Sequence, residues 1–131
     1  RELKKRGVPV EQFANRLKET NGALAHLREH LAMDISTSVL GQGEAIFYKG
    51  DPAETLYILV DGSVDLEGPE GFTVVQPGRP GPTFLNAADF LRGGKNASGA
   101  YAGSTVVLNL VPRASRDAAI RNFPQLVDAL L

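Results

Sequence analysis

One stretch limits what this chain can fold into more than any other: Tyr48 to Leu66. It begins with a turn cluster, Lys49-Gly50-Asp51-Pro52, and continues as Thr55-Leu56-Tyr57-Ile58-Leu59-Val60-Asp61. Leu56, Ile58 and Val60 alternate with Tyr57, Leu59 and Asp61, the period of two that marks a strand with one apolar face. Asp61-Gly62 follows, a two-residue turn of the kind favoured in hairpins, where glycine tolerates the positive φ required. Val64 and Leu66 then resume the alternation. The pattern predicts an antiparallel hairpin.

Further strands are predicted at Ser36–Leu40, Ala45–Tyr48, Ser63–Glu67, Phe72–Gln76, Gly99–Gly103 and Thr105–Val111, separated by glycine- and proline-rich turns. Pro77-Gly78-Arg79-Pro80-Gly81-Pro82 reads as a stiff loop, because its prolines would remove ladder donors. Asn86 to Leu91 reads as a short helix with Asn86 as N-cap and Asp89 in its first turn. Ser115 is expected to cap a helix running through Phe123, and Pro124 to open another. The fold class expected is mainly β with flanking helices, a jelly-roll-like β-roll from about Ile35 to Pro112. Its buried residues should include Leu56, Ile58, Val60, Val64, Leu66, Val106, Leu108 and Leu110.

The stretch Gly50-Asp51, Ala53-Glu54-Thr55-Leu56-Tyr57-Ile58 and Gly62-Ser63-Val64 resembles the cyclic nucleotide-binding domain. That is the β-roll of the catabolite activator protein and of the protein kinase A regulatory subunit. Extended without gaps, the resemblance covers residues 34 to 131. It implies a regulatory module of a signalling protein that acts in signal transduction in the cytoplasm and is not an enzyme. Family members hold a cyclic phosphate in a cassette resembling F-G-E-[LI]-A, followed about ten residues on by R-[AS]-A. Glycine admits close backbone approach, the short helix presents N–H groups to the phosphate, arginine pairs with its oxygens, and glutamate takes the ribose hydroxyl.

This chain departs from that pattern at all three ligand-holding positions. Phe84 falls near the family phenylalanine, Leu85 at the glycine, Asn86 at the glutamate and Asn96 at the arginine, followed by Ala97. Loss of the charge-assisted arginine pair should cost about 1.5–3 kcal/mol. One expectation is therefore a degenerate pocket that binds cyclic nucleotide weakly or not at all. The other is a different small anionic metabolite, held by Arg92 or Lys95 with the N–H groups of Ala87 and Ala88. No resident cofactor is expected. The expected partners are a small nucleotide-like anion, other domains of a parent chain and a second copy of this one. The family's lid helix would begin near Pro124 and continue past Leu131.

Residues 1–33 read as a separate helical segment ahead of the β-roll at 34–131. Val10, Phe13, Leu17, Leu24, Leu27 and Leu31 form a heptad-like stripe, interrupted at Asn21-Gly22. It suits either packing on the β-domain or a signalling linker. His26-Leu27-Arg28-Glu29-His30 has the H-x-x-E-H spacing of an inverted zinc-peptidase motif, in which two histidines four apart share a helix face. These are the chain's two histidines, and nothing downstream reads as the source of a third ligand, so no metal is expected. Arg1, Lys4, Lys5 and Arg6 form a basic start that reads as solvated. A formal net charge of −1 argues against a polyanion-binding surface, and no recognition helix is apparent, so nucleic acid is not an expected partner. No apolar run is long enough for membrane insertion. The absence of cysteine excludes disulfides and thiolate metal sites.

Overall fold

A computed structural model describes residues 33–78 and 82–131. The expected helix Val10–Leu31, the His26/Glu29/His30 motif and the basic start lie outside the described residues. Among the described residues, eight strands form two antiparallel sheets. They are β1 (Ser36–Leu40), β2 (Ala45–Phe47), β3 (Thr55–Asp61), β4 (Val64–Gly68), β5 (Gly71–Val75), β6 (Thr83–Phe84), β7 (Ala100–Ala102) and β8 (Val106–Pro112). One sheet has the order β1-β8-β3-β6 and the other β2-β7-β4-β5. Helix α1 (Ala87–Arg92) lies between β6 and β7; after β8 come a 3-10 turn (Arg113–Ser115), α2 (Arg116–Asn122) and a 3-10 helix (Pro124–Leu130). This is the β-roll with helices that the strand pattern predicts.

The predicted hairpin at Asp61-Gly62 does not exist. β3 pairs with β6 and β8, whereas β4 pairs with β5 and β7, so the turn carries the chain from one sheet to the other. The cause is local. The β3–β8 register shifts between Leu59 and Asp61, leaving Val60 without a ladder partner, and such a bulge bends the strand. Gly62 then takes φ 93°, and a Cβ there would sit 2.3 Å from the Thr105 carbonyl oxygen. Ser63 N–H donates to Ser104 Oγ at 3.0 Å, and Gly103 N–H to the Ser63 carbonyl at 2.9 Å, which fixes the crossing.

The bulge also corrects the expected core. Val60 is 40% exposed, while its neighbour Leu59 is buried. Leu66 and Leu110 are only partly buried. Leu56, Ile58, Val64, Val106 and Leu108 are buried as the alternation predicts. The core has two parts. Between the sheets lie Ile46, Phe47, Leu59, Val64, Val106 and Leu108. On the other side of the first sheet, Leu56, Ile58 and Val111 pack with Phe90 and Leu91 of α1, Ala119 of α2 and Leu126. Met33, placed by sequence with the N-terminal segment, is buried in that second cluster. β3 and β8 thus serve two apolar layers, and their near-continuous apolar sequences follow from burial on both faces. Each fully buried Leu or Val contributes roughly 1.5–3 kcal/mol. Among the described residues, no helix is long and apolar enough to cross a membrane.

Candidate functional site

The predicted cassette is built on α1 and the segments either side of it. Phe84 in β6 pairs with Ile58, and its ring stands edge-on to Phe123 at 6.1 Å, part of the helix-side core. Leu85 N–H donates to the Tyr57 carbonyl at 2.9 Å, and its side chain packs on the core between the sheets. Ala87, Phe90 and Leu91 are buried, an i, i+3, i+4 stripe that seats the helix. Gly93 ends it at φ 73°, donating to the carbonyls of Asp89 and Phe90. Asp89 Oδ2 accepts the Ala97 N–H at 3.0 Å and so ties the following loop to the first turn.

Asn86 occupies the N-cap position but does not cap with its side chain. It turns inward, 5% exposed, where its Oδ1 accepts Tyr57 N–H at 3.1 Å. Its Nδ2 donates to the Thr55 carbonyl at 2.8 Å and to Asn96 Oδ1 at 3.1 Å. A buried amide must find partners, and Asn86 finds them in the backbone of β3 and in Asn96. Ser115 likewise sits at the N-cap of α2 without capping it; its Oγ accepts Asp34 N–H at 3.1 Å.

Asn96 is also buried, at 3% exposure. Its backbone is zipped to the turn that precedes β3: Asn96 N–H donates to the Asp51 carbonyl and Gly50 N–H to the Asn96 carbonyl, both at 2.8 Å. Pro52 and Lys95 form a bridge beside them. The Gly50-Asp51-Pro52 turn therefore positions Asn96, and Asn96 meets Asn86, with no charged group in the contact.

An opening of about 280 Å³ adjoins this pair, lined by Ile46, Phe47, Asp51, Thr55 and Tyr57 together with Asn96. Among the described residues of the lining, Asp51 is the one that carries a charge. The Phe47 and Tyr57 rings, 5.2 Å apart, narrow it from the core side. Burial, and then the Asp51 carboxylate, push the Tyr57 hydroxyl above its ordinary value. Arg92 and Lys95 are exposed and do not line this opening. Ala88 is partly buried and Ala97 exposed. A larger open cleft of about 770 Å³, lined by Asp61, Gln76, Thr83 and Asn109 among others, lies apart from the Asn86–Asn96 pair.

Sequence reasoning missed two arginines. Arg113 Nη1 donates to the Phe90 carbonyl, and its guanidinium lies 5.8 Å from the centre of the Phe90 ring. Arg116 Nε donates to the Leu91 carbonyl at 3.1 Å. Both satisfy carbonyls at the C-terminal end of α1, where positive charge is favoured. A Cβ at Gly93 would lie 2.6 Å from Arg113 Nη2, so the guanidinium would have to shift to admit one. These cations are fixed at the helix's far end, away from the Asn pair.

Residues 38–122, more than half of the chain, match the profile of the cyclic nucleotide-binding domain. The chain belongs to the cyclic nucleotide-binding domain family. Solved structures agree in fold. The catabolite activator protein of Thermus thermophilus superposes with a TM-score of 0.59 at 25% identity, over 73% of this chain and 46% of that one. A cAMP-binding acyltransferase from Mycobacterium smegmatis gives 0.64 at 22% identity, over 78% and 33%. The regulatory subunit of a cAMP-independent protein kinase A from Trypanosoma brucei gives 0.57 at 22%, over 72% and 35%. The chain thus spans less than half the length of each. No curated protein matches it.

Proposed function

We propose that this chain is a regulatory module of a larger signalling protein in which cyclic nucleotide binding is weak or lost. The observation that carries the reading is the buried Asn86–Asn96 hydrogen bond, at the two positions where the family pattern has glutamate and arginine. An amide pair is neutral and satisfies itself. A cyclic phosphate brings a negative charge that needs a cation or several donors, and an unpaired charge in a semi-enclosed site is costly. Asp51 at the adjoining opening adds repulsion of the same sign. Leu85 stands where glycine would admit the phosphate to the backbone.

The family is typically regulatory, and the module on this reading has no catalysis of its own. Among similar structures, the trypanosomal subunit is named as cAMP-independent. A form of it with three substitutions, one of them threonine to arginine, is bound to cAMP in its A site. Regulation here would run through packing against neighbouring domains. A thermal-shift series against cyclic AMP, cyclic GMP and phosphorylated metabolites tests this. Unchanged melting with both cyclic nucleotides is expected. A shift with a phosphorylated metabolite that disappears in Arg92→Ala or Lys95→Ala would instead establish the anion-sensor reading.

A further inference from the structure

Among the described residues β5 is an open edge of the second sheet, with β4 as its one partner strand. It is exposed from Gly71 to Val74, with Phe72 and Val74 each 62% exposed. Its sequence, Gly-Phe-Thr-Val-Val, holds neither a charge nor a proline, the usual devices that keep an edge from pairing. The Phe72 ring is set on the outer face, edge-on to Tyr101 at 6.1 Å.

The direction of the free backbone groups follows from the ladder. Glu67 N–H points to the Gly99 carbonyl, away from β5, at 2.9 Å. Its opposite residue, Phe72, is therefore in a pair that exchanges no hydrogen bonds with β4, and so is Val74 two residues on, opposite Asp65. Phe72 and Val74 aim their N–H and C=O groups outward.

We propose that β5 pairs antiparallel with β5 of a second copy, about a twofold axis at Thr73. In that register Phe72 of each copy faces Val74 of the other, and these residues exchange four backbone hydrogen bonds. Thr73 faces its own counterpart. Aromatic against β-branched and Thr against Thr are favourable cross-strand pairs. Glu70, the carboxylate beside the strand, falls opposite Gln76, so no like charges meet. Slipping by two residues sets Glu70 against Val74 or Phe72 against Gln76. A slip by one misaligns the outward groups. The interface is isologous and smaller than the ~1,600 Å² of a standard one, so the dimer dissociates on dilution. The proposal is independent of whether the module binds cyclic nucleotide.

Sedimentation of the full 131-residue chain over a concentration series tests it. The wild type should dimerise reversibly. Phe72→Lys and Val74→Glu, both at exposed positions that leave the circular dichroism unchanged, should each weaken the dimer roughly tenfold or more. An equimolar mixture of the two variants should regain association, because the introduced lysine and glutamate face each other. Slowed amide exchange of Phe72 and Val74 at high wild-type concentration is also expected. A chain monomeric up to about 1 mM, a dimer indifferent to both substitutions, or a mixture that stays apart would each overturn the proposal.

Discussion

Asn86 is held by three hydrogen bonds, to Tyr57, Thr55 and Asn96, in a place almost closed to water. Asn86→Ala strands those partners, and chemical denaturation should register a loss of about 1–3 kcal/mol. Tyr57 supplies a pH signature. Its hydroxyl is pushed up by burial and then by Asp51, so the folded state holds the proton more tightly than the unfolded chain. Stability is unaffected below the ordinary tyrosine value of about 10 and falls as pH rises beyond it. Denaturation at pH 9 and 11 should show a smaller loss in Tyr57→Phe than in the wild type; an equal loss would place the effect elsewhere. Positions 86 and 96 were legible in the sequence as two of the three that depart from the family motif. Their bond to each other was not, because ten residues and a helix separate them. Arg113 and Arg116 carried no signal at all, since the carbonyls they satisfy lie 23 and 25 residues upstream.

β3 shows what periodicity reveals and what it hides. The strand's existence and ends follow from the apolar run and the Asp-Gly turn. Its partners do not, since a turn favoured in hairpins also serves a crossing between sheets. The alternation misled at Val60 because a bulge adds one residue and reverses the inward and outward sides beyond it. Short-range rules also overstated the caps, for Asn86 and Ser115 find backbone partners distant in sequence. The crossing predicts a strong effect from a small change. In Gly62→Ala the new methyl would meet the Thr105 carbonyl in a backbone region unfavourable to alanine. The denaturation midpoint should fall by at least the equivalent of about 1 kcal/mol, well beyond that of Gly43→Ala, where the added methyl meets open space.

At the scale of the whole molecule, the β-roll carries the family architecture, with a hydrogen-bonded amide pair at the two positions where the family pattern has glutamate and arginine. The fold was legible because its turns and strands are spread along the sequence. The site was legible only as a departure, since a ligand's affinity depends on a few groups meeting in space. Calorimetry with cyclic AMP on the wild type and on the triple variant Leu85→Gly, Asn86→Glu, Asn96→Arg tests the central claim directly. The variant brings in the glycine, the glutamate and the arginine of the family pattern together. The account predicts little or no heat for the wild type, and binding gained in the variant by roughly a hundredfold or more, since each 1.4 kcal/mol is about tenfold. Micromolar binding by the wild type, or no gain in a folded triple variant, would contradict it.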